Sequence, residues 1–221
     1  MSEKIIPIDL ALPLGVGSVN CFLVDTGAGF ILVDAGIAAR RAELEHRLVN
    51  AGVRPGNLRL ILITHGDFDH TGNAAYLRDK FGALVAMHRG DAGMAERGDM
   101  FWNRKSGGRL IRLFARLLVR LAEADRFSPD VLLEEGQDLS VYGWQARILS
   151  LPGHSCGSIG VLTAAGELIC GDLLENTRTP GLNSIMDDME EARSSLERLR
   201  GMGVGTVYPG HGRPFRLEQL G

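Results

Sequence analysis

The sequence predicts an α/β fold, an αββα sandwich of two mixed β-sheets packed face to face and flanked by helices. Three observations predict it. Short β-rich runs bounded by glycine occur in both halves of the chain, at IIPIDL, VNCFLVD, FILVDAG and LRLILIT, and again at VLLEE, WQARILSL, SIGVLTAA, ELICGD and TVYPG. Each half also carries stretches of helical period. Two halves of strands followed by helices bury their apolar runs most economically as two facing sheets with helices outside.

The elements follow in order. VNCFLVD and FILVDAG are joined by Thr26 to Gly29, a hairpin signal. Residues 38 to 50 place Leu44, Leu48 and Val49 among charges, a helical period ended by Gly52, and lead into LRLILIT at 58 to 64. The stretch from His70 to about Lys80 reads as helix, ALVAM at 83 to 87 as a buried strand, and residues 89 to 96 as a helical turn. Later strand signals include DLSVYG as well as the runs named above, before a helix from about Asp187 to Arg200 and the last strand, TVYPG.

Composition narrows the function. A chain of 221 residues, 45% hydrophobic and 23% charged, suits one packed unit, and residues 1 to 221 are read as a single domain. A net charge of −3 gives no reason to bind a polyanion, so nucleic acid is not an expected partner. No window approaches the run of about 18 apolar residues that a spanning helix needs. MSEKIIPIDL lacks the apolar region and cleavage site of a signal peptide. Cys21, Cys156 and Cys170 are odd in number and lack C-x-x-C spacing, which fits a reducing compartment. The expectation is a cytoplasmic protein acting on a small molecule.

The chemistry concentrates in THGDFDHTG, where His65, Asp67, Asp69 and His70 fall within six residues directly after an apolar run. A strand ending in a tight turn can aim such side chains at one point above the sheet edge, and imidazole with carboxylate suits divalent first-row metals. His154 follows ARILSLPG, Asp172 follows ELICG and His211 follows TVYPG, each just past a strand-like run. Singly, each has a plainer reading; Asp69 before a helix could be an N-cap. Together, with glycine beside His65, His154, Asp172 and His211 for close backbone approach, they read as ligands of one or two ions.

THGDFDHTG, PGHSCGS, CGDLL and YPGHG, in that order, resemble the successive metal motifs of the metallo-β-lactamase superfamily of hydrolases, and the opening hairpin is similar to that family's. The resemblance implies a dinuclear site. His65 and His154 would serve the first metal, and Asp69, His70 and His211 the second. Asp172 would bridge them, with Asp34 a supporting carboxylate behind the ligands. It implies glyoxalase-II-like chemistry, a hydroxide held between the metals attacking a small-molecule ester, thioester or lactone, with a phosphoester as the alternative substrate. Asp69 would in addition orient the hydroxide or carry its proton to the leaving group. Two divalent ions are expected, zinc first, with manganese or iron as alternatives.

One position departs from the family's His-x-His-x-Asp-His, because Asp67 stands where the second histidine is expected. The extra carboxylate lowers the net charge of the site. That raises the pKa of a bound water above the value of about 7 of strong zinc sites and favours manganese or iron. A carboxylate here also resembles the flavodiiron reductases, which would make the protein a di-iron redox enzyme. Those carry a flavodoxin-like domain, whereas ten residues follow His211 here and no phosphate-cradling glycine loop is evident. A third reading is a metal-binding protein without catalysis, its first site weakened by Asp67.

Cys156, Ser155 and Ser158 beside His154 read as a small buried thiol and turn hydroxyls rather than nucleophiles. His88 is a candidate for the substrate pocket, or a plain helix-start histidine.

Residues 101 to 126 hold seven basic residues against two acidic ones, and a helical insertion is expected at about 94 to 130. Leu110, Leu113, Phe114, Leu117, Leu118 and Leu121 make residues 109 to 122 an amphipathic helix. Arg109, Arg112, Arg116 and Arg120 lie on another face, with Arg104 and Lys105 upstream. A solvated cover, a homodimer contact through this helix, a lid and adsorption to a membrane surface all stay open. As a lid, Arg112 and Arg116 would select anionic substrates.

Overall fold

The computed structural model describes residues 3 to 105 and 120 to 220. Its first sheet runs β1 (Lys4–Ala11), β2 (Ser18–Asp25), β3 (Phe30–Val33), β4 (Leu58–Leu62), β5 (Leu84–His88) and β6 (Val131–Leu133), in that spatial order. The first three strands are antiparallel, and the β2–β3 turn closes where Thr26 donates to the Gly29 carbonyl at 3.0 Å. From β3 onward the strands are parallel, which requires crossovers. The crossovers carry α1 (Arg41–Asn50), then α2 (Phe68–Thr71) and α3 (Ala74–Phe81), then α4 (Arg89–Arg97).

The second sheet has the order β12-β11-β9-β8-β7, built from β7 (Ala146–Ser150), β8 (Ile159–Thr163), β9 (Glu167–Asn176), β11 (Thr206–Gly212) and β12 (Phe215–Arg216), with β10 (Gly181–Leu182) paired to β9. A helix, α5 (Met189–Arg200), returns the chain to β11 parallel to β9. Asp188 caps α5, accepting from the amides of Glu190 and Glu191.

The period of two along the strands sorts the core into layers. Leu23, Leu32 and Ile61 face Leu44, Leu48, Leu77 and Phe81 of α1 and α3. Their neighbours Phe22, Val24, Ile31, Leu60 and Leu62 face Ile148, Val161 and Ile169 of the other sheet and Trp144 just before β7. On its far side that sheet packs Leu149, Leu162 and Val207 against Ala192 and Leu199 of α5. Helix, sheet, sheet, helix is the expected αββα order.

Two expectations are corrected. DLSVYG is not a strand: Asp138 accepts the Ser140 amide and hydroxyl at 2.8 and 2.7 Å, a local turn that competes with ladder pairing, and Ser140–Tyr142 form a 3-10 turn. Asp172 and His211 lie within β9 and β11, not past their ends. Most of the helix expected at 109 to 122, with Arg112 and Arg116, lies outside the described residues. Its expected last residues, 120 to 122, are not helical: Arg120 forms an isolated β-bridge with Asp99, and Leu121 is buried. Among the described residues no helix is long and apolar enough to cross a membrane.

Candidate metal centre

The site sits at one rim, where the two sheets meet. Just past β3 comes Asp34, held in the left-handed region at φ 59°, with its side chain fully buried. Its carboxylate accepts the Thr64 amide at 2.8 Å and the Thr64 hydroxyl at 2.8 Å, tying the chain just past β4. The chain then turns through His65, Gly66 and Asp67 into α2, the four-residue helix that carries Asp69 and His70. Asp91 of α4 holds this turn from behind, accepting the Gly66 amide at 2.9 Å.

The second sheet supplies the other half. His154 lies in the β7–β8 loop, where the Ser155 hydroxyl donates to the same Asp91 at 2.6 Å. Asp172 follows Gly171, whose φ of +52° marks a register shift between β9 and β11. Such irregularities re-aim a side chain at a sheet edge. At Gly210, before His211, a Cβ would collide with Asp172 Oδ1 and the His70 ring.

All seven candidates converge. The donor atoms of His65, His154 and Asp172 lie within 4.8 Å of one another, as do those of Asp69, His70 and His211. Asp172 stands between the groups, with Oδ1 3.4 Å from His70 Nε2 and Oδ2 3.2 Å from His211 Nε2 and 4.0 Å from His65 Nε2. Asp67 Oδ2 is 3.1 Å from His154 Nε2 and 3.7 Å from His65 Nε2. Asp69 Oδ2 is 3.5 Å from His211 Nε2, on the more open side.

The outer nitrogen of each of the four rim histidines is spoken for. His70 Nδ1 donates to Asp34 at 2.8 Å, His154 Nδ1 to the Ile185 carbonyl at 2.7 Å and His211 Nδ1 to the Ser18 carbonyl at 2.7 Å. His65 Nδ1 is 3.0 Å from the Thr64 hydroxyl, which itself donates to Asp34. The Nε2 atoms are thereby turned inward, the arrangement metal-binding histidines adopt. His65 Nε2, His70 Nε2 and Asp172 Oδ1 are buried with no hydrogen-bond partner. Three such orphans at one point would be costly in a site built for nothing else. Imidazoles and carboxylates with unsatisfied donors fit divalent cations.

The electrostatics agree. Burial pulls His70 toward its neutral form, but the surrounding Asp172, Asp34 and Asp69 prevail and raise its pKa to about 10. Burial is likewise outweighed by Asp172 at His211, whose pKa rises to about 9. Burial works against ionised Asp172 and Asp67, yet His211 and His70 hold the first, and Arg104 and His154 the second, well below the usual carboxylate range. Carboxylates that force protons onto buried imidazoles form a site that attracts cations.

Other expectations fare differently. His88 ends β5 and accepts the Gly90 amide at 3.1 Å, capping α4 outside both donor groups. Ser155 and Ser158 bond to each other at 2.7 Å within the loop. Cys156 is exposed rather than the small buried thiol expected, and desolvation of its thiol, with nearby Asp91, raises its pKa, which disfavours the thiolate.

Sequence reasoning missed two groups. Asp91 ties the two halves of the rim together, also accepting the Gly157 amide at 2.9 Å. Arg104, grouped above with a basic stripe, is buried at 6% exposure, and Nη2 bonds Asp67 Oδ1. The signal was the surplus carboxylate itself, since a buried charge needs a partner.

The sequence pattern of the Metallo-beta-lactamase superfamily matches residues 14–211. The chain is 29% identical to the acyl-coenzyme A thioesterase MBLAC2 of Bos taurus, over 92% of this chain and 73% of that one. It is 30% identical to a hydroxyacylglutathione hydrolase of Anaeromyxobacter dehalogenans, over 86% of this chain and 60% of the relative. Against the atrochrysone carboxyl ACP thioesterase of Aspergillus fumigatus the identity is 28%, over 87% of this chain but only half of the relative's length. Among solved structures, TTHA1623 in a di-iron-bound form superposes with a TM-score of 0.74 at 28% identity, covering 97% of this chain and 96% of that one. The order of the motifs, the αββα layers and the convergence of their histidines and aspartates at one rim accord with the match, and the chain belongs to the metallo-β-lactamase superfamily.

Proposed function

We propose that the protein is a dinuclear metal-dependent hydrolase of a small-molecule thioester, with ester and lactone hydrolysis as the neighbouring activities. The observation that carries this reading is the set of orphaned inward atoms, His65 Nε2, His70 Nε2 and Asp172 Oδ1, each on a residue fixed in place. His65 and His154, with Asp67, would hold one ion; Asp69, His70 and His211 would hold the other, and Asp172 would lie between. Zinc, manganese and iron all suit this mixed donor set.

Bound there, such ions supply Lewis acidity and an activated water. The chain's own groups do the rest. The Nδ1 contacts of His70, His154 and His211 fix the ring orientations. Asp69 stands on the more open side, with Oδ2 3.5 Å from His211 Nε2, and an oxygen of it left off the ions would take a proton and pass it to a leaving thiolate.

The thioester reading draws on the relatives, an acyl-coenzyme A thioesterase, an ACP thioesterase and a hydroxyacylglutathione hydrolase. It draws also on a cleft of about 780 Å³ lined by Asp9, Ser18, Asn20, Arg178 and Arg213, of which Ser18 accepts from His211 Nδ1 through its carbonyl. Two arginines on its wall suit an anionic carrier arm.

The test is a substrate panel of thioesters, lactones, β-lactams and phosphodiesters under zinc, manganese and iron loading. Thioesters should turn over fastest, and His211→Ala should abolish the activity. A chain that hydrolyses only phosphodiesters, or none of the four, contradicts the proposal.

A further inference from the structure

Asp67 is a buried carboxylate where the family pattern leads one to expect a neutral ligand, and its partner comes from a segment that carries no metal motif. Arg104 reaches into the rim from the residues after α4. Nη1 donates to the His154 carbonyl at 2.7 Å, Nε to the Met100 carbonyl at 3.2 Å, and Nη2 to Asp67 Oδ1. Nη2 also lies 3.1 Å from His154 Nε2. The guanidinium thus touches one oxygen of Asp67 and leaves Oδ2 facing His154 and His65.

We propose that Arg104 is a positioning residue for the first ion: it clamps Asp67 through Oδ1 so that Oδ2 alone is presented beside His65 and His154, and its positive charge replaces what an aspartate in the histidine position removes. Arginine suits this because its planar fork bonds a carboxylate and a carbonyl at once and never loses its charge. An ion seated there would then meet an Asp–Arg pair of no net charge, as it would meet a neutral imidazole. The competing idea is that the guanidinium itself takes the ion's place. Among the described residues it makes no hydrogen bond to His65 or Asp172, and His65 Nε2 stays without a partner, so Arg104 reaches His154 Nε2 but leaves His65 Nε2 for an ion.

The inference rests on the metal-centre reading above, and the test separates the two. The full chain, stripped of metal, is titrated with Zn(II) against a chromophoric chelator and with Co(II) by visible absorption, while thermal melts check folding. The unmodified chain should take up two ions. R104M should weaken the first by about 10- to 100-fold, as loss of such a supporting partner does elsewhere, and leave the second unchanged. R104K, which keeps the charge but not the fork, should lose about 3- to 10-fold at the first ion only. In a D67H background, R104M should change neither affinity, since a neutral ligand needs no counter-charge. If R104M does not fold, R104K and D67H/R104M carry the test.

Unchanged first-ion affinity in R104M and R104K overturns the role of Arg104 while leaving the metal centre standing. So does tighter binding in R104M, which would mean the guanidinium competes with the ion. Equal losses at both ions, or an equal loss in the D67H background, mark a purely structural residue and overturn it too. An unmodified chain that binds no ion overturns both readings together.

Discussion

Asp34 Oδ2 lies 2.8 Å from His70 Nδ1, and the same buried carboxylate takes the amide and hydroxyl of Thr64. One side chain, held at φ 59° where few residues other than glycine rest, therefore fixes both the ring of His70 and the turn that starts the histidine motif. Asp34→Ala would strip an acceptor from three donors. We expect a loss of about 10- to 100-fold in affinity for the ion near His70 and a destabilisation of about 2–4 kcal/mol from buried unsatisfied donors. Metal titration and urea unfolding measure the two. A variant as stable and as tight as the parent would remove Asp34 from the account.

Gly210 is set by close approach. An added Cβ would meet Asp172 Oδ1 and the His70 ring, both packed in the rim, so Gly210→Ala must displace one of them. The expected result is a folded protein, within about 1–3 kcal/mol of the parent, that has lost at least one ion. Elemental analysis of the purified variant reads this directly, and full metal content would contradict it.

Asp91 joins α4 to both halves of the rim through Gly66, Ser155 and Gly157. Burial raises its pKa, and the donors from Ser155 and Gly66, with the nearby Arg104, work against that to favour the ionised form. Asp91→Ala should cost about 2–4 kcal/mol, by orphaning two amides and a hydroxyl. Chemical denaturation checks it; a cost under about 1 kcal/mol would mean that water replaces the carboxylate readily.

The pH dependence of stability should differ with and without metal. In chelated protein, His70 and His211 have folded pKa values of about 10 and about 9, raised above the unfolded value near 6.5. A raised histidine contributes stability that is fully present below pH about 6.5 and is lost as pH rises through about 9 to 10. His65, lowered by burial and by His70 and His154, titrates below that window. The Tm of chelated protein should therefore fall from pH 7 to pH 10. A bound ion needs the neutral imidazole, so the stabilisation that metal adds should grow over the same range. A metal increment that shrinks with rising pH would contradict the ligand assignment.

Much of this was legible because strands and metal motifs announce themselves locally. Alternation in VNCFLVD and FILVDAG gives both the hairpin and the two faces, and His65 to His70 form one contiguous signal. What escaped depended on long-range partners. Arg104 meets Asp67 across 37 positions, and Asp91 meets Ser155 across 64, pairings that no local period encodes. DLSVYG alternates like a strand, yet Asp138 captures the Ser140 amide first. Asp172 and His211 were displaced into their strands because β9 and β11 continue past a register shift that only pairing reveals.

The most direct measurement is the metal content of the purified full chain, taken together with thioester hydrolysis before and after chelation. The account predicts two divalent ions per chain, activity abolished by the chelator, and recovery on adding back zinc, manganese or iron. A chain without bound metal, or one whose hydrolysis survives chelation undiminished, would contradict it.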